Sequence, residues 1–213
     1  GEDGAPSERE NAPGEETEKE LTLDMIYAGF LHISAKTDSL VTAELKFREI
    51  DEENNHIEKV KLTENSDYRS FYMHSAGNIL VLLKNESDTE SSIKIGFITT
   101  CYPVTSVART VTSDKEINDI LKVCEHTLKY CRQTHHLDSP RHCEPLACTG
   151  DYYIESLMTS VSFGDMRLAE FDLMRTADWI MMNEGVMFHT TYSLIWVQML
   201  HDVYMITGRK DIL

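Results

Sequence analysis

The sequence predicts a chain of two structural parts, an antiparallel β-sandwich followed by four α-helices. Three observations support this fold class. Apolar and polar residues alternate with a period of two through most of the first half, turn-forming stretches separate the alternating segments, and a helical period begins at Ser113. We therefore expect an acidic tail or linker over residues 1–20, a β-sandwich domain over 21–111 and a helical domain over 112–213.

The strand predictions rest on alternation. Residues 41–50 form a candidate strand, because apolar and polar side chains alternate strictly over 41–48, which is typical of a half-buried strand. Residues 29–33, 78–83 and 92–98 are further candidate strands, bounded by turn-rich stretches. Because several short strands follow one another without a helical period between them, an antiparallel sandwich is favoured over a parallel sheet.

The first helix is predicted from a cap and a periodic apolar face. Ser113 and Glu116 have the spacing of a capping box, with Ser113 as the cap. Apolar side chains then recur at helical spacing, and we expect them to be buried. They are Ile117, Ile120, Leu121, Cys124, Leu128 and Cys131.

Three more helices complete the helical part. The second follows Asp151 and ends near Gly164. The third covers about 166–182 and is expected to bury Leu168, Phe171 and Met174. The fourth covers about 192–206 and ends at Thr207-Gly208, a C-terminal helix signal. Four helices joined in this way form two hairpins, the unit of bundles, solenoids and α/α toroids.

The charge of the chain excludes several partners. Of its 213 residues, 36 are acidic and 20 basic, so the net charge is -16. Such a chain is a poor partner for nucleic acid or an anionic membrane surface, and no apolar run is long enough to span a bilayer. Residues 1–20 hold eight acids and two bases with almost no apolar side chain, which predicts a disordered tail.

Cysteine usage favours a reducing compartment. Five cysteines are an odd and sparse set for a disulfide scaffold, and residues 1–20 lack the basic start and apolar stretch of a secretory signal. We therefore expect a cytoplasmic protein. The chain begins with Gly rather than Met, which is expected of a processed terminus or an excised fragment.

The chemistry concentrates between the first two helices. Residues 135–151 contain three His, two Cys, three acids, two Pro and one Arg, and the stretch is longer than a simple helix–helix connection. Long loops carried by a rigid scaffold are frequent active sites. The loop is therefore the first functional candidate.

Three interpretations of this loop are open. A metal site would have five candidate ligands: His135, His136, His142, Cys143 and Cys148. It is disfavoured because their spacing matches no usual zinc pattern. In the second interpretation the loop is structural: Asp151 caps the second helix and Cys148 is a small core residue. A glycosidase site needs one protonated carboxyl as general acid and a second carboxylate across the sugar ring, and the loop supplies several acids.

A family resemblance gives the third interpretation its specific form. Residues 138–144 read Asp-Ser-Pro-Arg-His-Cys-Glu, followed by Thr-Gly-Asp at 149–151. This stretch resembles the signature Asp-Cys-Pro-x-Arg-x-Glu…Trp-x-Gly-Asp of the α-L-rhamnosidases, glycoside hydrolase family 78. Residues 23–31 resemble that family's entry into its β-sandwich. Residues 162–169 resemble the end of its second helix and residues 192–208 its fourth, so the resemblance covers about 21–213. It implies an antiparallel β-sandwich followed by the first four helices of an (α/α)6 toroid, a six-hairpin glycosidase.

The resemblance also implies roles for single residues. Glu144 takes the position of the general acid. Asp138 and Asp151 match acids that hold the rhamnose hydroxyls, and Arg141 is taken as the counterpart of the motif's Arg. Cys148 stands where an aromatic residue, often Trp, is expected. Family members invert the anomeric centre, which requires a water between two carboxyls about 6.5–9.5 Å apart.

His189 is a further candidate for the sugar site. It lies beside Phe188 and Tyr192, and aromatic faces pack on sugar rings. The alternative is ordinary packing at the start of the fourth helix.

These assignments lead to a functional hypothesis. The chain is expected to be part of an inverting rhamnosidase that acts on a rhamnosyl glycoside, needs no metal or cofactor, and has the remaining toroid helices as its structural partner. The resemblance implies that the general base is a Glu far downstream of the fourth helix, so these 213 residues are not expected to hydrolyse efficiently alone. The other acids of the predicted helices are expected on solvated faces: Glu155, Glu170, Asp172, Asp178 and Glu184. The alternative is a non-catalytic carbohydrate-binding or domain-packing module.

Overall fold

The structure, a computed structural model, describes residues 7–37, 40–48, 56–63, 65–86, 88–141 and 148–213. The chain divides into two compact units, Gly1–Thr100 and Cys101–Leu213. Each unit has its own cluster of buried apolar side chains. The predicted boundary, after residue 111, lies later in the sequence than this division. It falls in the irregular segment that precedes the first helix.

The first unit is an antiparallel sheet that curls into a nearly closed sandwich. Its described strands are β1 (Ser7–Asn11), β2 (Glu16–Lys36), β3 (Val41–Arg48), β4 (His56–Leu62), β5 (Asp67–Arg69), β6 (His74–Asn85) and β7 (Ser91–Thr99). The strand order is β1-β7-β2-β6-β3-β4, and β5 pairs with β2. The first half of β2 pairs with β6 and its second half with β7 and β5, with a register shift between Thr22 and Tyr27. This shift lets one long strand serve two parts of the sheet.

Alternation along the strands builds the core of this unit. On β3, Val41, Ala43, Leu45 and Phe47 all point inward and are buried. The predicted strands at 29–33 and 41–48 coincide with parts of β2 and β3, and those at 78–83 and 92–98 lie within β6 and β7. These predictions are confirmed, while residues 49 and 50 lie outside the described residues.

The prediction of a disordered tail was wrong for residues 7–11 and 16–20. Residues 7–11 form β1, which pairs with β7, and Glu16 to Glu20 pair with β6. The acidic side chains of residues 16–20 tolerate this position because the pairing uses backbone groups, and the Glu16 carboxylate lies 3.2 Å from the Lys84 ammonium. Composition therefore failed to identify strands whose stability comes from distant partners.

The second unit contains the four predicted helices. They are α1 (Lys115–Cys131), α2 (Thr149–Ser162), α3 (Arg167–Met182) and α4 (Thr190–Thr207), followed by a 3₁₀ turn over Lys210–Ile212. Gly208 ends α4 in the left-handed conformation, with φ of 69°, as the C-terminal signal predicted. None of the described helices has the length and apolar character needed to cross a membrane.

Two details of the helix predictions were wrong. The cap of α1 is Asp114 rather than Ser113, because the Asp114 carboxylate accepts hydrogen bonds from the backbone N–H groups of Glu116 and Ile117. The first half of the apolar face of α1 is also exposed, and Ile120 keeps 55% of its surface accessible. The buried apolar residues of α1 lie only in its last turn.

The inward face of α3 also differs from the prediction. Leu168 is buried as expected, but Phe171 and Met174 are about half exposed. The buried positions beyond Leu168 are Ala169, Asp172, Leu173 and Thr176. Two of these four residues are polar, so the apolar periodicity predicted the wrong inward face for α3.

Candidate active site

The loop between α1 and α2 carries most of the predicted site residues. Asp138 and Arg141 are exposed on its first part, and Asp151 is half-buried in the first turn of α2. Glu144 lies outside the described residues, as do the other positions from 142 to 147. Its assignment as general acid therefore stays a prediction.

The start of this loop is anchored by a buried arginine. The Arg132 guanidinium is fully buried and lies 3.3 Å from the Asp165 carboxylate. The rings of Tyr102 and Phe163 face the same guanidinium. Asp165 is also hydrogen-bonded by Arg167, which lowers the pKa of the Asp165 carboxyl to about 2 and keeps it ionised. Removing either partner would leave a charge buried and poorly compensated.

A second anchor follows four residues later. His136 is fully buried, and its Nδ1 lies 2.7 Å from Oδ2 of Asp172 on α3. The His136 backbone N–H donates to the same oxygen at 3.1 Å, and its Nε2 lies 3.2 Å from the Thr159 hydroxyl on α2. His136, counted among the ligand types of the disfavoured metal site, thus ties the loop to α2 and α3.

Beyond these anchors the loop turns sharply. The Asp138 carboxylate accepts a hydrogen bond from the Ser139 N–H at 2.6 Å, and the Ser139 hydroxyl accepts one from the Arg141 N–H at 3.2 Å. Such side-chain turns leave Asp138 and Arg141 at the surface. Counted strictly, the arginine of the rhamnosidase signature aligns with His142, so Arg141 stands one position early.

The Thr-Gly-Asp part of the motif begins α2 against α4. The Thr149 hydroxyl donates to the Tyr192 carbonyl at 2.8 Å. Gly150 lies directly against the Tyr192 ring. A Cβ atom at this position would come within 2.8 Å of a ring carbon, so the close contact requires glycine. Cys148 is buried, as the structural interpretation expected.

The assignment of Asp151 as helix cap was wrong. The helix begins at Thr149, the cap position is Cys148, and Asp151 lies within the first turn. A carboxylate there is still favoured by the helix dipole. Its role in the site that the motif predicts stays a prediction.

Glu155 is a site residue that the sequence did not identify. The helix places it one turn beyond Asp151 on the same face, but only 7% of its surface is accessible. Burial, followed by the charges of Asp172, Asp151 and Asp138, raises the pKa of the Glu155 carboxyl to about 9. The expectation of a solvated helical position was wrong for this residue, although its spacing from Asp151 was visible in the sequence.

His189 lies in the aromatic cluster that its neighbours predicted. It is exposed at the cap position of α4, with ring centroids 4.8 Å from Phe188 and 5.1 Å from Tyr192. Tyr192 in turn covers Gly150 at the start of α2. The cluster therefore borders the Thr-Gly-Asp segment.

The metal interpretation gains no support within the described ranges. No group of three or more His, Cys, Asp or Glu side chains there is arranged to hold an ion. His142 and Cys143, two of its proposed ligands, lie outside those ranges.

A β-sandwich followed by helical hairpins is a fold also found among solved structures of glycoside hydrolases. No protein-family model matches the sequence, and no curated protein matches it. Solved structures do match. A rhamnosidase from Klebsiella oxytoca with rhamnose bound superposes with a TM-score of 0.70 at 17% identity, over 96% of this chain and 46% of its own. A family 78 rhamnosidase of Bacillus sp. GL1 superposes with a TM-score of 0.75 at 16% identity, over 92% of this chain and 22% of its own.

These matches identify the fold. The chain has the fold of the glycoside hydrolase family 78 rhamnosidases, an antiparallel β-sandwich followed by the first four helices of an α/α toroid. The predicted resemblance is confirmed at that level. The chain spans less than half the length of either matched protein.

Proposed function

We propose that this chain is part of an inverting glycoside hydrolase that releases terminal α-L-rhamnose from glycosides or oligosaccharides. The observation that carries the proposal is the agreement in fold with two rhamnosidases over nearly the whole chain, one of them with rhamnose bound. The α1–α2 loop and the start of α2 carry several acids, of which such a reaction needs one as general acid.

The roles follow from the chemistry of inversion. Glu144 protonates the oxygen of the leaving group as general acid. Asp138, Arg141 and Asp151 hold the sugar hydroxyls, and the aromatic cluster around His189 contributes to one side of the site. This acidic surface is compatible with a neutral sugar, because sugar hydroxyls carry no charge and can donate hydrogen bonds to carboxylates.

The general base is a separate carboxylate. Glu155 is unsuited to that role, since a carboxyl with a pKa of about 9 is protonated at neutral pH and accepts no proton from water. We propose that the base comes from helices beyond these four. These 213 residues by themselves are then expected to give no efficient turnover.

The test is hydrolysis by the protein that carries this segment, with and without Glu144→Gln. We expect kcat/KM on an alkyl rhamnoside to fall by at least about 100-fold, because its basic leaving group needs protonation. An aryl rhamnoside with an acidic leaving group should lose much less. Glu125→Gln, an identical change at an exposed position of α1, is the matched control.

The outcomes separate the two hypotheses. Equal losses on both substrates, or no loss, would remove Glu144 from the role of general acid. Rhamnose binding without hydrolysis by the unsubstituted protein would favour the non-catalytic carbohydrate-binding module instead.

A further inference from the structure

Carboxyl groups extend from the surface of the candidate site into its interior. Asp138 on the loop is exposed, Asp151 is half-buried, Glu155 is buried, and Asp172 on α3 is fully buried. Asp151 and Glu155 share one face of α2 because they are four residues apart. The charges of Asp138, Asp151 and Asp172 all act on Glu155, so the loop, α2 and α3 each direct an acid toward it.

Glu155 has an oxygen that no described group satisfies. Its Oε2 is inaccessible to solvent and has no hydrogen-bond partner among the described residues. Buried polar atoms are almost always paired, because an unpaired one loses its hydrogen bonds to water without replacement. Asp172 likewise has one oxygen, Oδ1, without a partner among the described residues, but its Oδ2 is bonded to both the ring and the backbone of His136. The unpaired oxygen of Glu155, on the helix face that also carries Asp151, therefore points to a partner that arrives with a ligand.

The surroundings of Glu155 favour its neutral form. The groups that act on it are three acids, no cation contributes among the described residues, and burial disfavours a charge. A neutral carboxyl donates one hydrogen bond, whereas a carboxylate only accepts them. A pair of sugar hydroxyls both donates and accepts, so a complete site needs both kinds of group.

We propose that Glu155 is a hydrogen-bond donor of the sugar site, donating from its protonated carboxyl to a hydroxyl oxygen of a neutral sugar held by Asp138 and Asp151. The sugar part of this assignment rests on the function proposed above. Glu155 thereby acts as a binding and specificity residue distinct from the general acid.

The test measures L-rhamnose binding to the full chain by ligand-observed NMR at about pH 7 and about pH 10. Glu155→Gln keeps a neutral donor and should retain affinity within about twofold, whereas Glu155→Leu removes it and should weaken binding about tenfold. The unsubstituted chain should lose about tenfold in affinity at the higher pH, because ionisation removes the donor. The affinity of Glu155→Gln should not fall at the higher pH. The affinity of the control Glu125→Gln should fall as that of the unsubstituted chain does.

Three results would overturn the assignment. One is a Glu155→Gln variant that binds as weakly as Glu155→Leu, and another is an affinity that does not change with pH. The third comes from the ¹³C resonance of the Glu155 carboxyl, identified by its loss in Glu155→Gln, if it shows an ionised group at neutral pH. This third measurement needs no sugar. If Glu155 is protonated but rhamnose does not bind, the sugar role and the proposed function are contradicted. The protonated form of Glu155 is then still established.

Discussion

At the scale of single residues, two buried acids of the helical unit differ in their partners. Asp172 receives two hydrogen bonds from His136 through one oxygen, and this contact holds the loop that carries Asp138. Oε2 of Glu155 has no partner among the described residues, and neither has Oδ1 of Asp172. Asp172 positions the loop through its Oδ2, whereas no described hydrogen bond gives Glu155 such a role.

Replacing Asp172 should therefore destabilise the helical unit. We expect Asp172→Ala to lower the free energy of unfolding by about 3 kcal/mol, because His136 loses its buried partner. The measurement is urea denaturation followed by tryptophan fluorescence. Asp178→Ala, the same change at an exposed position of α3, should have almost no effect. Similar losses in both variants would contradict the anchoring role.

Glu155 should make the stability of the chain depend on pH. The folded state keeps the carboxyl proton up to about pH 9, whereas the unfolded state loses it near its ordinary pKa of 4.5. Between these values the folded state binds more protons, so the free energy of unfolding decreases as pH rises. Glu155→Gln should show a smaller decrease across this range in denaturation curves. Parallel pH profiles for the two proteins would show that Glu155 ionises normally.

At the scale of elements, the start of α2 depends on the absence of a side chain at Gly150. The Tyr192 ring of α4 occupies the place of a Cβ atom, so Gly150→Ala should lower the free energy of unfolding by about 1–3 kcal/mol. In a Tyr192→Ala background the same change should be stabilising by up to about 1 kcal/mol, because alanine favours a helix over glycine. A double-mutant cycle by chemical denaturation tests this reversal. Equal effects in both backgrounds would rule out the Tyr192 contact as the cause.

At the scale of the whole molecule, each unit has its own hydrophobic core. Leu45 lies in the core of the β-sandwich and Leu173 in that of the helical unit, and both are fully buried. Both tryptophans, Trp179 and Trp196, belong to the helical unit, so their fluorescence reports on that unit.

This arrangement predicts that core substitutions act on one unit each. We expect Leu173→Ala to lower the midpoint of unfolding seen by tryptophan fluorescence, with a loss of about 2–5 kcal/mol. Leu45→Ala should instead lower the midpoint of the β-sheet signal in infrared spectra. Leu194→Ala, at a position that is 71% exposed, is the control. A common shift of both signals by either core substitution would contradict the prediction.

Much of the fold followed from local patterns. The alternation at 41–48 and the Gly208 signal identified a strand and a helix end correctly, since both depend on residues that are neighbours in sequence. The α1–α2 loop was also identified as the candidate site from its composition and motif. Residues 7–11 escaped notice because their pairing partner lies on β7, far along the chain.

The sequence by itself determined the succession of strands and helices, the motif in the loop and the resemblance to the rhamnosidase fold. Only the tertiary structure decided which acids are buried and which are partnered. Periodicity cannot distinguish Glu155 from a solvated helical acid, because its burial depends on a loop and a helix that approach from elsewhere in the sequence. His136 and Asp172 are likewise 36 residues apart, and folding alone brings them within hydrogen-bonding distance.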